Sequence, residues 1–545
     1  MKSATKNGWI LLLVVAAALL GLFLGRIAGK NAAASEFSRR LNEGDILFGL
    51  GSGGGDKLQS IITLIENCYV ENVDADSIED TVIPKMLCEL DPHSLYIPRK
   101  EVKKVTGELK SNFGGIGVQF SLRDDTVRVE SVVSGGPSSA LGVLPGDKII
   151  KVNDRSFTGG WINNQTVLDS LRGEIGTKVK ITVVRSHGTT LDFDITRGEI
   201  PLTSVMSAYE IAKGVGYMKI DRFAEKTYEE MLQGIAKLKT QGCGKLIVDL
   251  RSNSGGFLNV VQAMCNEFLD RGEMIVYTEG AHQRRQETRA DGTGSCRDID
   301  LVVLIDEYSA SASEIFAGAM QDNDRGTIIG RRSFGKGLVQ SEMPLADGSA
   351  IRLTVARYHT PSGRCIQRPY GHGDDEYYAD ITKRYKSGEL FSADSIKADT
   401  SLVYHTAKGR TVYGGGGIVP DIFVAYDTAT ASTYLYQLRA KRIIYDYAKS
   451  IVDKERKRLD DMAMPDMVHY LQSQRYIDGL EAYAARHGLK RQAKLDPKES
   501  EIIENETRAY IAQSVNDEGG IYPILNSMDP TVAKALEVFN AKPLY

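Results

Sequence analysis

The stretch Leu301-Val-Val-Leu-Ile305-Asp-Glu-Tyr-Ser309-Ala-Ser311-Ala-Ser313-Glu314, with Phe334-Gly335-Lys336-Gly337 downstream, sets the fold class of this chain. It opens on a continuous apolar run, and Leu246-Ile247-Val248-Asp249-Leu250 reads the same way. Such runs, each followed by a turn and a helical segment, imply parallel strands buried on both faces. Gly216 to about Val424 alternates strand and helix in this manner, so an α/β core is expected. Between Ser311 and Lys336 the sequence reads as helix, turn and strand. A serine hydroxyl is a poor nucleophile until a positioned base takes its proton. A lysine can serve as that base only when burial keeps it neutral, because its free pKa is about 10.4. The same residues carry a second reading, since Ser-x-x-Glu ahead of an apolar run is a helix capping box with Ser311 and Glu314 as its pair.

The 545 residues suffice for several domains, and 25% charged with 42% apolar residues is an ordinary globular composition. Net charge is −4 without any basic block, which argues against nucleic acid as a partner. The six cysteines form no Cys-x-x-Cys pair, so a zinc-ribbon site has no support. At the N-terminus, Lys2 and Lys6 precede an uncharged run from Gly8 to Gly25 that reaches the lower edge for a bilayer-spanning helix. A cleavable signal peptide competes, with Ala32-Ala33-Ala34 as its small residues. That string lies well past the apolar run, which favours an uncleaved anchor.

Residues 31–57 contain Gly51-Ser52-Gly53-Gly54-Gly55 and read as a flexible linker. From Leu58 the spacing of Leu58, Ile61, Ile62 and Ile65 predicts helix. In this region His93, within Leu90-Asp91-Pro92-His93-Ser94-Leu95-Tyr96, reads as a structural hydrogen bonder. From Phe113 to about Arg197 the period changes to two: Val127 and Val129, then Val179, Ile181 and Val183, then Leu191, Phe193 and Ile195. These predict a small β-rich module with a short helix from Gln165 to Leu171. Beyond Tyr426 the chain reads as helical.

Further elements point to the same chemistry. Asp249-Leu250-Arg251-Ser252-Asn253-Ser254-Gly255-Gly256 follows a buried strand, and glycines there expose backbone N–H groups suited to a developing oxyanion. The Ala312 N–H stands at a helix start, where amides have no helical partner. Gln340 follows Lys336 by four positions, which in a strand puts both side chains on one face. No histidine sits in an obviously catalytic string, so a Ser-Lys dyad stands where a Ser-His-Asp triad has no candidate.

With LDPHSLY, FGGIGVQF, LPGDKIIKVND, GYMKIDRF, DLRSNSGGFL, SASASEIFAGAMQDNDRG, FGKGLVQ, ARYHTPSGR and GGGGIVPD in this order, the chain resembles the carboxyl-terminal processing peptidases, the tail-specific serine proteases. The resemblance covers about Leu58 to Val424. It implies Ser311 as nucleophile, Lys336 as general base, Gln340 as its support, and an oxyanion hole at Ala312 and either Gly255 or Gly256. It departs at Asn253-Ser254, where members often carry Asn-Pro. It makes Phe113 to about Arg197 a PDZ domain, whose Gly114, Gly115, Ile116, Gly117 and Val118 would hold a substrate carboxylate while the peptide adds as a strand. It implies no metal and no cofactor.

The expected architecture is a multidomain α/β protein with a crotonase/ClpP-like serine-peptidase core. Its segments are an anchor (1–30), linker (31–57), N-terminal helical region (58–112), PDZ domain (113–200), core (201–425) and C-terminal helical extension (426–545). The expected function is a serine endopeptidase of the cell envelope, anchored in the inner membrane with its catalytic part exported to the periplasm. It would act on polypeptides with free, apolar C-termini. An activating lipoprotein and a homo-oligomer stay open as partners. A non-catalytic PDZ scaffold on the membrane, or a crotonase-like acyl-CoA enzyme, are the rival readings.

Overall fold

A computed structural model of the chain describes residues 57–544, apart from 103–104, 106–111, 124, 134, 186–187, 372–373, 428–431, 492–493 and 517. The expected anchor, and the linker up to residue 56, lie outside the described residues. No helix among the described residues is long and apolar enough to cross a membrane. None of the six cysteines, all of them among the described residues, forms a disulfide.

The chain divides into two compact units, one ending at Leu87 and one starting at Cys88. The first carries helix Lys57–Cys68 and most of helix Ala75–Cys88. The helical pattern expected as far as residue 112 is interrupted after Cys88 and resumes at residues 99–102. Leu95–Ile97 is a strand, because pairing with Ala350–Arg352 overrides its local preference.

In the second unit the β-rich module forms a sheet ordered Val118–Arg123, Thr126–Val132, Lys148–Val152, Lys178–Val184, Thr190–Thr196. The period-two residues Val127, Val129, Val179, Ile181, Val183 and Ile195 all point into its core, with helix Asn164–Leu171 closing it. Val118–Arg123 is an edge strand. Asn112–Gly115 pairs antiparallel with Gly198–Pro201, bringing the two ends of the module together. That is how an inserted domain joins its host.

The core sheet runs Val205–Ala212, Val215–Ile220, Lys245–Asp249, Asp300–Ile305, Gly326–Gly330, Ile422–Phe423. Its first pair is antiparallel and all later pairs are parallel. The apolar runs divide by alternation. Leu246, Val248, Leu301, Val303 and Ile305 face helices Thr227–Thr240, Leu258–Asn266 and Ala312–Asp322. Ile247, Val302, Leu304 and Ile329 face the opposite side, where Val532, Ala535 and Leu536 of helix Pro530–Val538 cover them. Both faces are therefore dry, as a parallel sheet requires. The second layer comes from the C-terminal extension, so part of that extension is integral to the core. Arg251 fastens it, reaching Asp249 (2.6 Å) and Asp529 (2.7 Å), the N-cap of that helix.

A second sheet centres on the long strand Ala350–His359, flanked by Leu338–Pro344 on one side and by Leu95–Ile97 and Met274–Gly280 on the other. Since Leu536 is buried against the core sheet, Leu536→Ala is expected to lower unfolding free energy by about 2–4 kcal/mol in chemical denaturation. A loss below about 1 kcal/mol would mean that this helix does not close the sheet.

Candidate active site

Loops leave the carboxyl ends of the three parallel strands Lys245–Asp249, Asp300–Ile305 and Gly326–Gly330 at one edge of the core sheet. In open α/β sheets this edge is where ligands bind. The first loop carries Gly255 and Gly256, the second Ser311, the third Lys336.

Ser311 sits between strand and helix at φ 55, ψ −112, a conformation that a residue with a side chain adopts only under constraint. Glu314 supplies the constraint. Its carboxylate is fully buried and accepts four hydrogen bonds. One oxygen takes the N–H of Ser311 (2.9 Å) and of Lys336 (2.9 Å); the other takes Gly335 N–H (2.7 Å) and Ser333 Oγ. The capping box and the Ser311–Lys336 pair are thus one device, in which the capping carboxylate also holds the lysine loop. Burial pushes the Glu314 pKa up, against four bonds that each favour the ionised form. Tyr358 Oη bridges the same two residues from their other side, within reach of the carbonyls of Ser311 (3.1 Å) and Lys336.

The Lys336 side chain is largely withdrawn from water. Burial, helped by nearby Arg352 and opposed by Asp91 and Glu314, pulls its pKa down to about 8. Its Nζ donates to Gln340 Oε1 at 2.9 Å. The contact does not arise from strand alternation, because Lys336 precedes the strand Leu338–Pro344 and a register shift falls between Val339 and Gln340. Gln340 Nε2 in turn donates to the carbonyl of His93. Asp91 shapes that turn by accepting the N–H of His93 (2.8 Å) and of Ser94 (2.9 Å). Burial and the charge of Lys336 lower the His93 pKa to about 4, so its ring is neutral and meets Tyr377 Oη at 2.9 Å. Tyr377 belongs to a tyrosine-rich insert between Ile366 and Arg410 (Tyr377, Tyr378, Tyr385), which buttresses the lysine loop: Arg368 lies 3.9 Å from the ring centres of both Phe334 and Tyr377. Ser311 Oγ and Lys336 Nζ share no hydrogen bond in this conformation.

Asn253 orders the glycine loop. Its Nδ2 donates to the Ile220 carbonyl (3.0 Å), while its own carbonyl accepts Ala310 N–H (3.0 Å) and Ser313 Oγ (2.9 Å). Asn253 Oδ1 takes the Gly255 N–H at 2.8 Å, so that amide is occupied. The N–H groups of Gly256 and Ala312 meet no acceptor among the described residues. Gly255 is at φ +104, and a Cβ there would lie 2.8 Å from the Ser311 Cβ. Gly256 is at φ +151 and would meet the Phe223 carbonyl oxygen at 2.1 Å. No other residue type fits either place.

In the β-rich module, Gly114 and Gly115 lie within the pairing to Glu199 and Gly198. The carbonyls of Ile116 and Gly117 accept from Ser138 (3.0 Å) and Val133 (2.9 Å), while their amides meet no protein acceptor among the described residues. Gly117, at φ +76, turns the chain into the edge strand that begins at Val118. The described residues contain no cluster of three or more His, Cys, Asp or Glu side chains able to hold a metal ion.

Sequence reasoning located Ser311, Lys336 and Gln340, which this site brings together with Ala312 and the Gly255-Gly256 loop. It did not find the second role of Glu314, nor Tyr358, Asn253 and the His93 carbonyl. Glu314 carried a signal in its place in the capping box, while His93, Asn253 and Tyr358 lie in the strings LDPHSLY, DLRSNSGGFL and ARYHTPSGR, which do not by themselves give these contacts.

Residues 214–376 match the profile of peptidase family S41, residues 114–196 that of the PDZ domain, and residues 434–517 that of a family of unknown function. The chain is 36% identical over 313 residues to the carboxy-terminal-processing protease of Bartonella bacilliformis, spanning 56% of this chain and 71% of that one. It is 32% identical over 393 residues to the carboxy-terminal processing protease CtpA of Bacillus subtilis, spanning 70% and 80%. Among solved structures, the photosystem II D1 C-terminal processing protease shares 25% identity over 68% of this chain and 87% of that one, with a TM-score of 0.37.

Glu314→Gln keeps shape and volume but turns an NH2 group toward two N–H donors. It is expected to lower stability by about 2–4 kcal/mol in denaturant titration. Lys336→Met removes a disfavoured buried ammonium and should gain about 1–2 kcal/mol at pH 7, net of the lost Gln340 bond. The unfolded lysine binds its proton up to pH about 10.4 and the folded one only to about 8, so wild-type stability rises between these values and the gap should close there.

Proposed function

The chain belongs to the carboxy-terminal processing proteases of peptidase family S41, and from that membership we propose that it cleaves peptide bonds with a Ser311–Lys336 dyad through an acyl-enzyme. As a serine-type peptidase with a PDZ domain it acts on polypeptides. The observation that carries the dyad is the desolvated Lys336 amine, bound through its backbone to the carboxylate that also grips Ser311.

In this reading neutral Lys336 Nζ takes the Ser311 Oγ proton as Oγ attacks the scissile carbonyl. The resulting oxyanion is received by the Ala312 and Gly256 amides, whose freedom from other partners supports the role. Gly255 instead fixes the loop, since its N–H is spoken for. Lys336 then protonates the leaving amine, the acyl-enzyme forms, and the same amine activates the water that hydrolyses it. Gln340 and the His93 carbonyl hold Lys336 meanwhile. Glu314 and Tyr358 tie both backbones together, so the backbone of neither residue is left free to move away from the other.

The PDZ domain supplies recognition of the free C-terminus. The Ile116 and Gly117 amides are available for a terminal carboxylate and the Val118–Arg123 edge for strand addition. Export, with Gly8–Gly25 as an inner-membrane anchor, completes the proposal and rests on the sequence; loss of a C-terminal tag to added protease in spheroplasts tests it, and a tag that stays protected there would overturn it.

Ser311→Ala and Lys336→Ala should each lower kcat by more than about a thousandfold on an unfolded polypeptide. Equal cleavage by wild type and Ser311→Ala would overturn the dyad, and equal lack of cleavage would favour the PDZ scaffold. Because the base must be neutral, kcat/KM should rise with pH through about 8 and then level off. A profile that falls across that range would refute the assignment of Lys336.

A further inference from the structure

A cavity of about 1220 Å³ lies between the PDZ domain and the C-terminal helices, apart from the dyad. One wall is Val118, Gln119 and Phe120 of the PDZ edge strand with Ser131 and Val132 of its neighbour. The facing wall is helical: Leu438, Arg442, Ile444, Tyr445 and Tyr510. Toward the core the cavity reaches Asp221 and Arg222, and the next residue, Phe223, is bridged to Gly256 of the glycine loop. It therefore runs from the tail-recognition strand toward the oxyanion loop.

The two walls are fastened together. The Glu130 carboxylate accepts from Ser121 Oγ within the PDZ domain and from Tyr445 Oη and Lys449 Nζ (2.6 Å) across the cavity rim. Arg123 pairs with Asp446 beside it. Most charges around the cavity are neutralised locally: Arg222 by Asp221, Arg439 by Glu506, Glu130 by Lys449. Arg442 differs. It is exposed, its guanidinium lies 4.5 Å from the Tyr445 ring centre, and it has no carboxylate partner among the described residues. Its backbone is also held at φ 55, where glycine would rest with less strain. An unpaired cation on an aromatic face, above an edge strand with one open side, is complementary to an extended polypeptide bearing a carboxylate.

We propose that, in a substrate chain lying along this cavity with its terminal carboxylate on the Ile116 and Gly117 amides, Arg442 of the C-terminal helices selects segments carrying an Asp or Glu side chain. The proposal rests on the peptidase reading only for where the bound chain is cut; binding itself does not require it.

The test uses the full-length chain with Ser311→Ala, which should bind without cleaving, and measures anisotropy of labelled apolar-tailed peptides. Three are compared: a peptide with a free C-terminus and an internal Glu, its C-terminal amide, and its Glu→Gln version. Arg442→Gly deletes the guanidinium while suiting the positive φ, so a folding defect does not confound it; Arg442→Lys retains the charge. Arg442→Gly should weaken the acidic peptide about tenfold, and Arg442→Lys should recover part of that loss. The Glu→Gln peptide should bind the parent weakly and lose nothing further with Arg442→Gly, whereas the C-terminal amide should still lose affinity; the reverse pattern would overturn the proposal by showing that Arg442 meets the terminal carboxylate. Arg442→Gly binding all three peptides as tightly as its parent would overturn the proposal. Cleavage surviving Ser311→Ala would instead defeat the dyad and leave the binding result standing.

Discussion

A single buried carboxylate holds this site together. Glu314 accepts the backbone N–H of both Ser311 and Lys336, so these two residues cannot drift apart without leaving a buried carboxyl short of its donors in a dry interior. Its four bonds also maintain the positive φ of Ser311, whose strain the helix alone would not support. Tyr358 repeats the link through the carbonyls. What stays adjustable is the pair of side-chain ends. Lys336 Nζ rests on Gln340, and the serine oxygen is not bonded to it.

The parallel sheet explains why these residues meet. Consecutive strands carry consecutive loops to one edge, and the dry faces on both sides fix the spacing between them. One of those faces is supplied by three crossover helices and the other by helix Pro530–Val538. The tyrosine-rich insert stiffens the lysine loop from behind through Arg368, and Arg384 donates to the carbonyls of Arg332 (3.1 Å) and Ser333 (2.8 Å) in the same loop. Catalytic geometry is in this sense a property of segments remote in sequence.

What could be read from the sequence follows from range. The period-two residues of the PDZ domain and the apolar runs of the core sheet carry local signals, and both appear where expected. Ser311, Lys336 and Gln340 were legible by type and spacing, though the Lys336–Gln340 contact passes through a register shift that no periodicity encodes. Glu314 was visible as half of a capping box. Its other partners, Ser333 and Gly335, come from a distant loop, so the pattern concealed its larger task. Leu95–Ile97 was misread as helical because its strand exists only through pairing with Ala350–Arg352. The C-terminal extension showed helices without showing what they cover, since amphipathic spacing does not name the face it meets.

The helix that seals the core follows all six strands of its sheet in the chain. As the polypeptide leaves the ribosome, the strands, Ser311 and Lys336 emerge first, while one side of the sheet still lacks its cover. The covering face is therefore completed by a segment made more than a hundred residues after the strand Gly326–Gly330, and the sheet that spaces the loops of Ser311 and Lys336 is dry on both sides only once that segment has docked.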